Sequence, residues 1–151
     1  MAVCELKFRV GDLRLVGLDR AVELAHGYTY SAHPLACAAA LATLDIYRDE
    51  KLFERALGLE SKFADAVMAL KGEPNVLDIR TIGLTAGIDL ASRPDLPGKR
   101  GFDSLNSAFH DNDLMLRVAG DTLALTPPLI VSDDEIGEIV EKVAKVIRAV
   151  A

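Results

Sequence analysis

The chain has 151 residues, of which 50% are hydrophobic and 26% are charged, a composition typical of a soluble globular domain with one hydrophobic core. Its net charge of −6 and isoelectric point near 5.0, without basic runs, argue against nucleic acid or an anionic membrane as a partner. The two cysteines are not closely paired, no secretory signal pattern is present, and the longest apolar run is too short to span a bilayer. We therefore expect a cytoplasmic protein without a transmembrane segment.

A polar stretch, HGYTYSAH (residues 26–33), runs directly into an alanine-rich one, PLACAAALATLD (34–45). Pro34 suits the first turn of a helix, since its missing N–H would be unpaired there, and strong helix formers follow it. We predict a helix from Pro34 to about Glu50. Because its first half is apolar on nearly every side, we expect it to lie between packed layers. A lone domain would leave it uncovered, which favours a homodimer or larger oligomer.

From Leu52 the apolar residues recur every three or four positions, which predicts a second, amphipathic helix that KGEPN (71–75) ends. The predicted inward positions of this helix are Phe53, Ala56, Leu57, Phe63, Val67 and Leu70. Alternation with a period of two then predicts strands from Val76 to Arg80 and from Leu84 to Leu90. The apolar positions of the second alternation are Ile82, Leu84, Ala86, Ile88 and Leu90.

Two prolines and two glycines in ten residues indicate a loop at SRPDLPGKRG (92–101). A short helix follows, with Phe102, Leu105 and Phe109 predicted to face inward. These assignments leave one further strand-rich segment before the C-terminal helix.

That segment, LMLRVAGDTLALTPP (114–128), has the pattern of a β-hairpin that bends at Gly120 and Asp121. Its apolar face is predicted to consist of Leu114, Leu116, Val118, Leu123 and Leu125. Met115 and Arg117 then point the other way. The Arg117 guanidinium could meet an anion there, but the pattern alone favours an exposed arginine on a solvated sheet face.

Ser132 and Glu135 form an S-x-x-E capping box at the start of a predicted helix. Apolar residues at helical spacing form a stripe along one face of this helix as far as the C-terminus. The stripe consists of Ile136, Ile139, Val140, Val143, Val146, Ile147 and Val150. Asp133 and Asp134 suit the first turn of this helix, since negative charge there offsets the helix dipole. Together the elements predict an α+β fold, a two-layer domain with an antiparallel or mixed sheet and helices packed on it.

No local catalytic motif is present, and no set of three or four metal ligands can be completed around His26, His33 and Cys37. We therefore expect no metal site.

Three blocks resemble, in order, the C-terminal part of class III aminotransferases, fold-type I enzymes that use pyridoxal phosphate. They are HGYTYSAHPLACAAALATLDIY, IRTIGLTAGIDLA and LMLRVAGDTLALTPPLIVSDDEI. Within that class the chain is similar to omega-aminotransferases of the β-alanine:pyruvate type. The resemblance implies an unmatched segment at 1–20, a dimer-interface turn and interdomain-type helix at 21–50, and the small C-terminal domain at 51–151.

The resemblance also implies roles for particular residues. Gly27, Tyr28 and Thr29 would lie at the dimer interface and reach the cofactor phosphate of the partner subunit, with the Thr29 hydroxyl as a donor. Arg117 matches the mobile arginine that pairs with the substrate carboxylate, a task suited to a planar two-pronged donor. Ala32 stands where glycine is common in the family.

In the family, a Schiff-base lysine and an aspartate that holds the pyridinium nitrogen precede the first block. No lysine of this chain matches that position, so we expect no catalytic residue here, weak or absent binding of pyridoxal phosphate, and an inactive chain when it is alone. The alternative is a non-catalytic binding or assembly module that retains the scaffold, with Arg117 available to a carboxylate. An active enzyme with a rewired lysine is the least favoured hypothesis.

Overall fold

The computed structural model of the protein describes residues 29–151. The chain divides into two compact units, residues 1–42 and residues 43–151. The described part of the first unit is a turn at residues 29–32 and the beginning of helix α1 (Pro34–Asp49), whose last residues belong to the second unit. Among the described residues, the second unit holds the other helices and the strands.

Helix α1 begins at Pro34, as predicted, and ends at Asp49. None of its 16 residues is buried, and the side chain of Leu35 is 75% exposed. No packed layer covers this helix among the described residues, which agrees with the expectation that a lone domain leaves it uncovered, and its predicted place between two packed layers stays a prediction. Alanine and leucine give the segment its helical propensity, but propensity does not supply a neighbouring element that buries it.

Helix α2 spans Leu52–Met68, and a single 3-10 turn at Ala69–Gly72 ends it at the predicted break. The inward face differs from the predicted one, because Phe53 is 61% exposed and Leu57 is 69% exposed. The residues of this segment that are buried are Leu52, Phe63, Val67 and Leu70. The helix is thus confirmed, while the prediction that Phe53 and Leu57 face the core is wrong.

The half-buried side chain of Arg55 accounts for this orientation of α2. Its guanidinium donates hydrogen bonds to the carbonyl oxygens of Leu129 and Val131, each at 2.6 Å. These bonds satisfy two backbone acceptors ahead of the C-terminal helix. Arg55 thus contacts a segment 74 to 76 residues further along the chain.

Four strands form one sheet, with the order β1-β2-β4-β3 and antiparallel pairing throughout. The strands are β1 (Val76–Ile82), β2 (Thr85–Leu90), β3 (Arg117–Ala119) and β4 (Thr122–Leu125). The predicted α+β class with an antiparallel sheet is confirmed. The predicted strands are also found, with β1 two residues longer than expected and β2 one residue shorter.

One face of the sheet packs against the helices and the other is exposed. The strand residues buried in the core are Ile79, Ala86, Ile88, Leu90, Leu123 and Leu125. Ile82, which the alternation placed with Leu84 and Ala86, is instead 77% exposed. The turn at Gly83, where φ is 53°, interrupts the alternation, so Ile82 keeps the phase of β1, in which Ile79 is buried.

Helix α3 (Lys99–Asp111) begins inside the segment that was predicted to be a loop. Leu105 packs against the core as expected, but Phe102 is 53% exposed and Phe109 is 56% exposed, so the prediction that both rings face inward is wrong. The buried residues of this helix are Arg100, Gly101, Ser104 and Ala108.

Arg100 lies on the buried side of α3 with Ser104 and Ala108, and it is only 9% exposed. Its guanidinium donates hydrogen bonds to the carbonyl oxygens of Ala91 and Val150. A buried charge of this kind is tolerated because its donors are paired. Sequence spacing alone gives no sign of these two distant acceptors.

Helix α4 (Asp133–Ala149) has the predicted capping box. The backbone N–H of Ser132 donates to the Glu135 carboxylate at 2.7 Å, and the Glu135 N–H donates back to the Ser132 hydroxyl at 3.3 Å. The side chains that α4 buries are Ile136, Val143, Ala144, Val146 and Ile147. This helix is confirmed in its start, its cap and its inward face.

Candidate functional site

Arg117 is the first residue of β3 and lies opposite Ala124 of β4. Its side chain is on the exposed side of the hairpin, as predicted, together with Met115, which is 84% exposed, whereas Leu116 is buried. Within residues 29–151, the Arg117 guanidinium has no hydrogen bond or ion pair. A guanidinium available in this way can bind a carboxylate through two parallel hydrogen bonds.

A shallow cavity of about 360 Å³ lies beside this arginine. Its wall includes Met115, Arg117, Pro127, Pro128 and Ile139. In the portion of the chain that the structure covers, Arg117 is the one charged residue of a lining that is otherwise mostly apolar. Such a lining matches a small molecule with one anionic group and a hydrocarbon part.

Arg117 also stands at one end of a row that crosses the sheet on its exposed face. Arg117 pairs with Ala124, Ala124 with Gly87, and Gly87 with Arg80 on the opposite edge strand. Ala124 and Gly87 lie between the two arginines. Ala124 has only a methyl group and Gly87 has no side chain, so little protrudes from the sheet in the middle of the row. A Cβ on Gly87 would lie only 3.3 Å from Nε of Arg80, which leans across it.

The two arginines of this row differ in their partners. Arg80 forms a two-pronged ion pair with the Asp89 carboxylate, one bond of which is 3.0 Å long, and Asp89 also accepts a hydrogen bond of 2.6 Å from the Thr122 hydroxyl. The bonds from Arg80 and Thr122 hold the pKa of Asp89 below its ordinary value, against the smaller effect of burial. Arg80 is thus neutralised within the domain, and Arg117 is the arginine that an external anion can reach.

The tip of the Arg117 hairpin is fastened to α3. Gly120 has a φ of 60°, which glycine adopts at no steric cost, and the carboxylate of Asp121 beside it accepts N–H bonds of 2.8 Å from Gly98 and Gly101. The Ser92 hydroxyl donates to the same carboxylate at 2.7 Å. Partial burial favours a higher pKa for Asp121, but the bonds from Ser92 and the backbone of α3 together bring this pKa below its usual range.

The sequence predicted the bend at Gly120 and Asp121 but not these contacts. One signal was present: α3 begins after Gly98, which has no side chain with which to cap the helix. A helix whose own N-cap residue cannot bond its first N–H groups requires an acceptor from elsewhere. The sequence does not say which of several acidic residues supplies it.

Of the residues predicted to reach a cofactor phosphate, Thr29 is exposed in the turn at 29–32, while Gly27 and Tyr28 lie outside the described residues. Ala32 in this turn has a φ of 60°, a conformation that favours glycine, which explains why glycine suits this position. Thr29 belongs to the first unit and Arg117 to the second, so each is a separate candidate site.

The described lysines lie at the surface, and four of them pair with carboxylates. The pairs are Lys62 with Asp133, Lys99 with Asp103, Lys142 with Glu138 and Lys145 with Glu141. Residues 29–151 contain no cluster of three histidine, cysteine or acidic side chains that could hold a metal ion. Over the same residues, no helix has the length and apolar character needed to cross a bilayer.

Comparison with known proteins gives a consistent result. The family model for class III aminotransferases matches residues 9–147, so the expectation that residues 1–20 are unmatched is wrong for residues 9–20. An omega-aminotransferase from Caulobacter vibrioides is 47% identical over 142 residues, which are 94% of this chain and 32% of that protein. A beta-alanine–pyruvate aminotransferase from Pseudomonas aeruginosa is 36% identical over 133 residues, 88% of this chain and 30% of its own length.

A solved structure shows the same relationship in three dimensions. A thermostable omega transaminase mutant from Pseudomonas jessenii superposes with a TM-score of 0.76 at 32% identity, over 85% of this chain and 30% of that one. The chain therefore spans about a third of the length of the curated relatives it matches.

Proposed function

Because this chain belongs to the class III aminotransferases, we propose that it forms the small C-terminal domain of an omega-aminotransferase. The reaction of the whole enzyme would transfer an amino group from an amine, or from an omega-amino acid such as β-alanine, to pyruvate. The relatives named for omega-amino and β-alanine–pyruvate transfer support this substrate class. The observation that carries the proposal is the exposed guanidinium of Arg117, which has no partner within residues 29–151 and lies beside a largely apolar cavity.

Arg117 is proposed to bind the substrate carboxylate. Its guanidinium can donate two parallel hydrogen bonds, and the cavity beside it can hold the hydrocarbon part of the substrate. Because the Arg117 side chain has no partner among the described residues, its guanidinium can move aside when the substrate lacks a carboxylate, while the backbone of the hairpin stays in place. This accounts for the use of both amines and omega-amino acids at one site.

Class III aminotransferases depend on pyridoxal phosphate, which supplies the aldehyde and the electron sink for amino-group transfer. In this chain the exposed Thr29 hydroxyl fits a donor to the cofactor phosphate, and Gly27 and Tyr28 are proposed to shape the same turn. This phosphate would belong to the cofactor of a partner subunit in a homodimer. The enzyme is proposed to be cytoplasmic.

The chain alone is proposed to be inactive and to bind the cofactor weakly or not at all. The surface lysines described above support this, because four of them are held by carboxylates and none is buried. A catalytic lysine amine requires burial or a neighbouring cation that lowers its pKa.

Mass spectrometry after incubation with pyridoxal phosphate and borohydride tests this part. The reductant makes any link between cofactor and lysine permanent, and peptide mapping locates it. We expect no adduct, or partial labelling scattered over surface lysines. One stoichiometric adduct at a single lysine would contradict the proposed inactivity and would identify a nucleophile.

The role of Arg117 is tested in a chimera in which residues 29–151 replace the matching segment of the Caulobacter omega-aminotransferase. Replacing Arg117 with alanine is expected to raise KM for β-alanine about 10- to 100-fold, since a bond to a charged group is lost. In the donor half-reaction, measured without pyruvate because pyruvate also carries a carboxylate, the rate with an amine that has no carboxylate should change little. Arg117→Lys should fall in between, and Lys145→Ala on the surface of α4 is the matched control.

A non-catalytic binding module is the alternative function, and the same unpaired arginine favours it. This hypothesis predicts a stable oligomer and pyruvate binding that Arg117→Ala abolishes, in a chimera that has no transaminase activity. An active chimera with an Arg117-dependent KM excludes it.

A further inference from the structure

The start of α3 and the tip of the Arg117 hairpin form one joined structure. Gly98, the N-cap residue of α3, has a φ of 83° and no side chain, so the helix supplies no cap of its own. The missing acceptor is Asp121, which lies 20 residues beyond Gly101 and bonds the N–H groups of both glycines at 2.8 Å. The carboxylate thus satisfies the helix start from a different element.

Two further contacts fix the same turn. The backbone carbonyl of Asp121 accepts the Leu90 N–H at 3.0 Å, which ties the turn to the end of β2. Gly101 lies so close to the turn that a Cβ on it would sit 2.0 Å from the carbonyl oxygen of Gly120. The hairpin tip is therefore held on three sides, by the first turn of α3, by Ser92 and by the central strand β2.

Strand β3 needs this support more than the other strands. It has three residues, pairs only with β4, and forms an edge of the sheet. Arg117 is its first residue and is four positions from Asp121. Since so short a pairing restrains its strand weakly, the geometry of Arg117 depends on how firmly the turn is anchored.

We infer that Asp121 is a positioning residue, which fixes the hairpin tip against α3 and thereby aims the Arg117 guanidinium at its carboxylate ligand. The inference rests on the proposed function for the ligand of Arg117. Asp121 itself does not contact the ligand of Arg117 in this inference. The closing experiment separates the two claims by measuring the hairpin and the ligand independently.

The test uses the whole isotope-labelled chain and nuclear magnetic resonance. Backbone order is measured at Arg117, Val118 and Gly120, and pyruvate is then titrated while the Arg117 Nε–H signal is followed. The variants are Asp121→Ala and Asp121→Asn, which keeps one acceptor oxygen. Ser132→Ala, which removes the cap of α4, is the control for general loss of stability.

In Asp121→Ala we expect lower backbone order from Arg117 to Gly120, and a half-saturating pyruvate concentration raised about fivefold. Asp121→Asn should recover part of both effects. Ser132→Ala should lower the melting temperature and leave both readouts at their original values. A purely structural role would make the two destabilised variants behave alike.

Unchanged hairpin order in Asp121→Ala would overturn the inference, whatever the titration shows. Equal weakening of pyruvate binding in Ser132→Ala would also overturn it. If pyruvate does not shift the Arg117 signal in the unaltered chain, the proposed ligand of Arg117 is wrong, and with it the claim that Asp121 serves ligand binding. The order measurement would still report whether Asp121 fixes the hairpin.

Discussion

Helices α1 and α4 are nearly equal in length, 16 and 17 residues, yet they differ completely in burial. Five side chains of α4 are buried, whereas no residue of α1 is. The apolar stripe of α4 is confined to one side, so the helices α2 and α3, which contact α4, can pack against it. An alanine-rich helix that is apolar on nearly every side specifies no such face, and its burial depends on what lies beside it.

The exposed apolar surface of α1 supports the proposed homodimer, since contiguous patches of this kind mark sites of association. Paired substitutions of the same type, one at a buried position and one at an exposed position, test the difference between the two helices.

Truncation of a core side chain should separate the two helices most strongly. Ile147 of α4 is fully buried, so Ile147→Ala should lower the free energy of unfolding by about 2 to 5 kcal/mol. Leu35→Ala in α1, where the side chain is 75% exposed, should change it by about 0.5 kcal/mol or less. Urea denaturation of both variants measures this, and equal costs would mean that α1 is packed in solution.

Glycine replacements should sharpen the contrast between packed and open positions. Gly101→Ala places a methyl group 2.0 Å from a backbone oxygen, so it should destabilise by about 2 to 3 kcal/mol. Gly137→Ala in α4 meets no atom within 4 Å and should stabilise by about 0.5 to 1 kcal/mol, because alanine favours the helix. Thermal unfolding of the pair is the measurement. A neutral Gly101→Ala would contradict the close approach to Gly120.

Removal of the α4 cap should have a smaller effect. Ser132→Ala should cost about 1 kcal/mol, since the Glu135 N–H loses its acceptor and the helix start frays. Ser61→Ala on the exposed side of α2 is the control, and it should be neutral or slightly stabilising. Denaturant midpoints compare the two variants. If Ser132→Ala lowered the free energy of unfolding less than Ser61→Ala, the cap would not stabilise α4.

Lowering the pH should gradually reduce the free energy of unfolding of the packed part of the chain. The pKa of Asp89 in the folded protein lies below its ordinary value of 3.8, because Arg80 and Thr122 bond the carboxylate. Its stabilising contribution is therefore complete above that value and is lost as the pH falls through the lower, folded pKa. Unfolding curves between pH 5 and pH 2 should show a shallower decline in Asp89→Asn, and an unchanged slope would exclude this contribution.

Much of the fold could be predicted from the sequence where the signals are local. The cap and stripe of α4, the turn at Gly120 and the outward direction of Arg117 all depend on residues a few positions apart. The candidate site could be predicted only in part. Arg117 was identified through its resemblance to a family, while the anchoring of its hairpin by Asp121 was not foreseen.

The wrong predictions for the inward faces of α2 and α3 share one cause. The outward rings of Phe102 and Phe109 and the rotation of α2 follow from hydrogen bonds made by Arg100 and Arg55 to carbonyl oxygens far along the chain. A hydrophobic pattern treats an arginine as polar and therefore outward. Such a pattern does not show that hydrogen bonds to distant carbonyl oxygens offset the cost of burying the arginine.

The amino-acid sequence by itself thus determined which segments form helices and strands and which family the chain resembles, because propensity, periodicity and capping act over one or two turns. Only the tertiary structure decided which faces are buried, which of the two arginines on the open sheet face is free, and what holds Arg117 in place. Those outcomes depend on Asp89 for Arg80 and on Asp121 for the hairpin, contacts between residues that are far apart in sequence and adjacent only after folding.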